Sequence, residues 1–455
     1  MTTSRLSRGA TSRTATAGPK IFVAAGFLAI AGQRIGVNLG DTSIPLSTIV
    51  LAGFYLRLLV SGGGLSLVGT GLWLALGATC GLSALANPAA HVTSLMLMLL
   101  TYVPWLLLPA REQRLVGVGR AFLVGTITAI KCGAVLAILQ AAVQWAGSPS
   151  LWDPVGRFVP LSMQVHGFNS VYSLEYVDVT YGLHYKPNGI LFLEPSFVSL
   201  YCGFGIVCLV HGLFFGRRSP RYRDAVWALT FAVAITVSMS TSGLPVLAFG
   251  LIPALRRLPM RPATTLATAC LALGAWRMGA LDGLIAKATE GFGPTSSTGL
   301  RLALPYHLLL PFADRNPLIG LGPGVASDLL DQLAVTGLQA STFAKAMVEY
   351  GLAGVSVFVV ATAYAIYRSR PPAMLTLALL AAWLVPAEAL LNAPIVALLF
   401  FVATHWRAEG DGVVLAHPGP AVGSSSDLRD VDVRPTRATS PVRASLRGAG
   451  ASDAA

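Results

Sequence analysis

The chain has 455 residues, of which 54% are hydrophobic and only 11% charged, and its net charge is +12. A water-soluble domain carries roughly a quarter charged residues, so this composition excludes a soluble globular protein and points to one whose solvent is lipid. The basic excess falls in gaps between apolar runs, where it sets membrane topology, and is not read as a nucleic-acid-binding surface.

Residues 1–20 form a polar segment with Arg5, Arg8, Arg13 and Lys20. A helix needs about 20 apolar residues to cross a bilayer. Windows of that size predict crossings near 21–37, 44–60, 67–86, 91–109, 118–145, 196–215, 225–241, 243–255, 264–280, 343–367, 372–391 and 393–406, about twelve in all. The weakest are 21–37, which contains Arg34, and the pair around Ser240–Gly243, which can also be one broken helix. Ile21–Ile30 resembles a signal-peptide core, but no small-residue cleavage site follows it, so it reads as the first helix. The basic clusters Arg111–Arg120, Arg217–Arg223, Arg256–Arg261 and Arg368–Arg370 then all fall on the side of the N-terminus, which makes both termini cytoplasmic. The expected fold is an all-α integral membrane protein whose polytopic domain covers 21–406. Cys80, Cys132, Cys202, Cys208 and Cys270 lie inside predicted crossings without ligand spacing and read as structural thiols; no metal is proposed.

Two segments on the far side are long, 147–195 and 281–342, and loops of that length are usually functional. The second contains Lys287, Arg301 and Arg315, basic residues that the topology rule does not place there. From Arg407 to Ala455 the chain turns rich in Ser, Pro, Arg and Asp without apolar periodicity, and reads as a disordered cytoplasmic tail.

The first long segment ends in Tyr185-Lys186-Pro187-Asn188-Gly189-Ile190-Leu191-Phe192-Leu193-Glu194-Pro195-Ser196. Pro195 disfavours helix at Glu194, so the next crossing begins near Ser196 and leaves Glu194 at the membrane mouth. A carboxylate there can act as a general base or pair with an arginine; the alternative is an acid favouring the helix N-terminus through the macrodipole. In the second, Ser296 to His307 holds Arg301 between leucines, and Asn316 to Gly324 holds three alternate glycines. Arginine suits a lipid-linked phosphate because its planar fork gives paired charge-assisted bonds. His307 is a candidate proton acceptor. The plainer reading of this stretch is an amphipathic helix capped at Ser297 or Thr298. Gly320, Gly322 and Gly324 lack the strand and Lys of a nucleotide loop and read as a tight turn before a helix.

Asn188 to Ser196, the turn Ser240-Thr241-Ser242-Gly243, Arg301 followed by Pro317 to Gly324, and Val348-Glu349-Tyr350-Gly351-Leu352-Ala353-Gly354 occur in an order that resembles the O-antigen polymerase and ligase superfamily. The resemblance covers about 190–365. It implies a multi-pass inner-membrane enzyme that transfers glycan from a polyprenyl diphosphate carrier on the outer side of the membrane. Where the ligase branch carries a His-Asn pair ahead of the Glu, this chain has Ala340 and Ser341, and Thr241 stands where many relatives have arginine. These departures favour a polymerase of exopolysaccharide, capsule or O-antigen repeats over a ligase.

On that reading Arg301 holds the leaving diphosphate, with Arg157 or Lys186 as a second cation. Glu194 is the base, with His307 in reserve, and attack inverts the anomeric carbon. No cofactor and no metal are invoked. The expected partners are the polyprenyl-diphosphate-linked oligosaccharide, membrane lipid, a chain-length regulator and export proteins, and not nucleic acid. The competing class is a transporter or flippase of lipid-linked sugars, with Arg34, Arg57, Lys131, Arg277 and Glu388 along its pathway. No internal repeat of the kind many transporters show supports it.

Overall fold

The structure, a computed structural model, describes residues 19–39, 42–61, 64–108, 113–146, 153–165, 175–178, 182–215, 222–255, 304–332, 340–385 and 389–406. All of these belong to the unit Met1–Val414. The predicted crossing 264–280, the tail from Arg407, and Arg277, Arg301 and Glu388 lie outside the described residues.

The described chain is mostly helical, and four of its helices are long and apolar enough to cross a membrane: Leu67–Ala86, Leu115–Trp145, Pro195–Leu213 and Thr342–Ser369. Shorter apolar helices accompany them. Helix α1 (Pro19–Ala31) stops well before the predicted end at 37. The chain leaves the helix at Gly32, and β1 (Gly36–Leu39) pairs with β2 (Thr42–Pro45) in an antiparallel hairpin that leads straight into α2 (Leu46–Val60). The reason is Arg34. A guanidinium inside a lipid-facing helix needs a partner, and the turn carries it to one.

Helix α3 (Leu67–Ala86) is capped by Ser66, whose Oγ accepts from the Gly69 amide at 3.0 Å. Helix α4 (Val92–Thr101) gives way to a 3-10 turn at Val103–Leu107, where Pro104 has no amide to continue the α ladder. Helix α5 (Gln113–Trp145) packs along α1 through a seam of small residues. A Cβ on Gly26 would lie 2.0 Å from the Phe122 carbonyl, and one on Gly125 1.9 Å from that of Val23, so these backbones are in direct contact.

Beyond α5 the predicted loop 147–195 carries structure of its own. It includes α6 (Pro154–Phe158), a 3-10 turn at Leu161–Met163, and the antiparallel pair β3 (Glu175–Asp178) and β4 (Gly182–Tyr185). Helix α7 (Pro195–Phe215) follows, then α8 (Tyr222–Val237) and α9 (Gly243–Leu255). The last two are separate helices on either side of a turn, and both pack on α7. Gly243 meets Ser199 and Gly250 meets Val207, so α9 runs parallel to α7.

The predicted loop 281–342 likewise contains α10 (Leu304–Ala313) and α11 (Val325–Gln332). Their apolar sides bury Leu309, Ala313, Ala326 and Leu330 against Ala344 and Val348 at the start of α12 (Thr342–Ser369). Helix α13 (Ala373–Leu384) is shorter than the predicted 372–391, with a 3-10 turn at Ala389–Leu391. Helix α14 (Ala393–Ala397) widens into a π-helical stretch, Leu398–Ala403. Tyr102, Trp105, Phe358, Trp383 and Phe400 form a buried aromatic cluster. Within it Trp383 Nε1 donates to Tyr102 Oη at 3.1 Å, and Tyr102 donates to the Leu390 carbonyl at 3.0 Å.

Burial separates inner from outer helices. The membrane-length window of α7 is 78% buried, that of α3 only 22%. Leu67, Leu74, Leu82 and Leu85 of α3 stay exposed, an apolar face suited to lipid and not to water.

Candidate functional site

Glu194 sits where the sequence places it, immediately before α7, whose first residue is Pro195. It is half-buried, and the buried Ser196 hydroxyl donates to its Oε1. A serine two residues on thus fixes the direction of the carboxylate. Lys186 is half-buried just after β4. Arg157 is exposed at the end of α6, its guanidinium 5.7 Å from the Phe158 ring centre. His307 is exposed on α10, while its neighbour Tyr306 stacks on Phe343 at 6.2 Å. His307 thus sits on a helix that packs against α12, and Glu194 at the start of α7.

Two residues draw this region together: Arg34, considered from sequence only for a transport pathway, and Asp153, which the sequence reading did not choose. Arg34 and Asp153 are 3% and 4% exposed. Arg34 Nη1 and Nη2 donate to Asp153 Oδ1 and Oδ2 at 2.5 and 2.6 Å, a paired geometry in a site shielded from solvent. Nη1 also donates to the Ile190 carbonyl at 3.2 Å. The residues after Arg34 extend the tie: Val165 donates its amide to the Arg34 carbonyl at 3.1 Å, and Asn38 Nδ2 donates to the Ser162 and Gln164 carbonyls. Buried Gln164 in turn donates to the Val159 carbonyl at 2.7 Å. The β1–β2 hairpin and residues 153–165 are therefore one folded piece, fastened to the Asn188–Glu194 turn by Arg34.

A second polar cluster lies at a break in α12. Gly351 has φ 60° and ψ −164°, a conformation essentially restricted to glycine. The turn Asn316–Gly324 docks on that break. Leu321 and Gly322 donate to the Val348 and Glu349 carbonyls at 2.8 and 3.0 Å, and Leu352 and Ala353 donate to the Pro317 and Leu318 carbonyls at 2.8 and 2.9 Å. Gly320, Gly322 and Gly324 all have positive φ and lead into α11, the tight turn before a helix that the sequence suggests. Around it, Lys345 Nζ lies 2.9 Å from Glu349 Oε1 and 3.0 Å from Ser327 Oγ, with Lys345 and Glu349 both buried. Ser83 Oγ donates to the Glu349 carbonyl at 2.5 Å, and Asn87 Nδ2 donates to that of Leu321. His91 Nε2 meets Asp328 Oδ2 at 3.1 Å, half-exposed.

Two of the segments that carry the resemblance, Pro317–Gly324 and Val348–Gly354, thus meet. Ser199 of α7 joins the Ser240 turn, donating to the Ser240 carbonyl at 2.8 Å and accepting from the Gly243 amide at 3.0 Å.

An apolar groove of about 340 Å³ runs between α12 and α13, lined by Phe343, Ala346, Phe358, Ile366 and Leu380 among others. Its lining begins at Thr342 and Phe343, which flank buried Lys345 in sequence. Among the described residues no group of three or more His, Cys, Asp or Glu side chains comes together in a way that would hold a metal ion. Two of the cations considered for a transport pathway are held by the protein itself: Arg34 by Asp153, and Lys131 with its Nζ 4.7 Å from the Trp227 ring centre.

Both constellations left a trace in the sequence. Arg34 interrupts an apolar run, and Lys345 and Glu349 are four apart on one helix face. Nothing local named Asp153 as the partner of Arg34. Comparison of the sequence with protein-family models and with curated proteins gives no match to either.

Proposed function

We propose that this membrane protein is a polysaccharide polymerase of the O-antigen polymerase and ligase type. It would join polyprenyl-diphosphate-linked oligosaccharide repeats on the outer side of the inner membrane. The observation that carries the reading is a contact between two motif segments: Pro317–Gly324 and Val348–Gly354, both singled out by order in the sequence, dock on one another at the Gly351 break. Further support comes from a directed, half-buried carboxylate at the start of a membrane-length helix, and from an apolar groove, a lining compatible with a lipid tail. About twelve crossings with both termini cytoplasmic would put 147–195 and 281–342 on the outer side.

In this mechanism Glu194 takes the proton of the acceptor hydroxyl. The resulting oxygen attacks the anomeric carbon of the donor from the face opposite the leaving group. The bond from that carbon to the diphosphate oxygen breaks, the configuration inverts, and the carrier leaves with its diphosphate. Arg301 neutralises the charge that develops there, with Arg157 or Lys186 as the second cation.

The test is the size profile of surface and secreted polysaccharide in a deletion strain complemented with wild type, Arg301→Ala or Glu194→Gln. Single repeats left on the carrier in the deletion and in both variants, with each variant present in the membrane, is the expected result. Long polymer in the deletion strain would remove the polymerase reading. Long polymer in one variant alone would remove that residue from its role.

A further inference from the structure

The stretch Arg157–Met163 is built inside out. Every residue in it except half-buried Val159 is exposed, and apart from Arg157 and Ser162 the exposed residues are apolar. Phe158 is 76% exposed and Leu161 74%, with Pro160 and Met163 open beside them. Its backbone carbonyls, by contrast, are taken up from within. Buried Gln164 donates from Nε2 to the Val159 carbonyl at 2.7 Å and reaches those of Val155 and Gly156 at 3.4 Å. Asn38 of β1 donates to the Ser162 and Gln164 carbonyls at 3.0 and 3.1 Å, and is itself set by the Ser43 hydroxyl of β2, which donates to its Oδ1 at 2.6 Å. The Met163 and Gln164 amides close on the Pro160 and Leu161 carbonyls at 2.8 and 3.2 Å. Pro154 and Pro160 have no amide to satisfy.

A loop in water can leave its carbonyls to the solvent and has every reason to turn its apolar side chains inward. Lipid supplies no donors, so irregular backbone in contact with it has to be satisfied by the protein. Arg157–Met163 meets that demand, and its exposed apolar side chains are those of a membrane-seated element. The level agrees. Trp145, exposed at the end of α5, is of the residue type that gathers at the membrane–water boundary. Arg157, the one charge in the stretch, suits the layer of lipid phosphates that lies above the acyl chains. We propose that Arg157–Met163 is a wedge seated in the surface of the bilayer, with Phe158, Leu161 and Met163 among the acyl chains and Arg157 at the phosphates. On the topology of the proposed function that surface is the outer one, where the diphosphate of a carrier lipid also lies. The wedge is fastened at its base: Asp153 holds Arg34, and Arg34 donates to the carbonyl of Ile190, whose φ of 64° is strained for a β-branched residue. The turn that leads to Glu194 is thereby tied to the lipid surface.

The experiment uses the full-length protein in open membrane fragments. Phe158, Leu161 and Met163 are replaced in turn by the photo-crosslinker p-benzoylphenylalanine, with Gln332, an exposed polar residue at the end of α11, as the control position. Irradiation should give phospholipid adducts as the main product at the three loop positions and not at Gln332, read from the mass of the labelled peptide. In a second measurement Leu161→Cys should react with a charged thiol reagent at least about tenfold more slowly than Gln332→Cys, after subtraction of the wild-type signal, because apolar surroundings disfavour the thiolate. Adducts to another protein at the loop positions would make the patch a protein interface and overturn the wedge. No adduct, with a thiol as reactive as that of Gln332→Cys, would place the loop in water and overturn it equally. Neither readout needs turnover. Lipid adducts together with long polymer in the deletion strain would keep the wedge and remove the polymerase reading, whereas single repeats in the deletion strain without lipid adducts would do the reverse.

Discussion

Two buried ion pairs do different work in this molecule. Lys345 and Glu349 are neighbours on one helix, and the cluster around them is built mostly from backbone: four amides of the Pro317–Gly324 and Gly351 segments find carbonyls across the break. Arg34 and Asp153 are separated by 119 residues, and their pair joins a hairpin, a short helix and a strained turn that share no regular structure. The first region fixes how two helical segments dock. The second holds irregular chain in place. What surrounds each pair thus decides whether it sets a docking joint between helices or ties irregular segments together.

The largest effect should come from breaking the long-range pair on one side. Asp153→Ala leaves a buried guanidinium without its carboxylate and should cost about 4 kcal/mol, read as a fall in unfolding midpoint and in recovery of folded protein from membranes. Replacing both partners, Arg34→Met with Asp153→Leu, should restore most of that stability and yet lose polymer, because the turn at Ile190 loses its tie. Stability restored together with full polymer length would make the pair structural only.

Next in size is the joint. Glu349→Leu removes the carboxylate beside the buried Lys345 ammonium and should cost about 3 kcal/mol by the same measurement. Gly351→Ala should cost about 2 kcal/mol, since a side chain is strained at that φ and ψ and its Cβ would lie 2.6 Å from the Leu318 carbonyl. If Gly351→Ala were neutral, the break would be an ordinary helix kink. The smallest effect belongs to His91→Gln, which loses a half-exposed contact with Asp328 and should change stability by less than about 1 kcal/mol.

Much of the helical architecture was legible because apolar runs long enough to cross a membrane can do little else, and α3, α5, α7 and α12 follow them closely. The errors fall where a polar residue or a proline overrides the run. Arg34 ends α1 early by seeking Asp153, and Pro104 turns the end of the predicted 91–109 crossing into a 3-10 turn. The long loops were read as loops because α10 and α11 are short and get their burial from α12, a contact no local window contains. Glu194 was legible for a local reason, the proline that follows it. Asp153 was not, since nothing near it in sequence marks a partner 119 residues away. His307 was chosen by residue type alone, and type does not reveal that it is exposed.

The seam between α1 and α5 bears on how the protein is made. Helix α1 is 13 residues long, about 20 Å, against a hydrocarbon layer of about 30 Å, and the residues before Pro19 are rich in Arg, Ser and Thr. Its glycine contacts lie on a helix that leaves the ribosome some hundred residues later. Helix α1 therefore has to wait, held weakly, until α5 arrives to clasp it. A nascent chain arrested before residue 113 should leave a cysteine placed in α1 open to a water-soluble thiol reagent, and one arrested well after residue 145 should not.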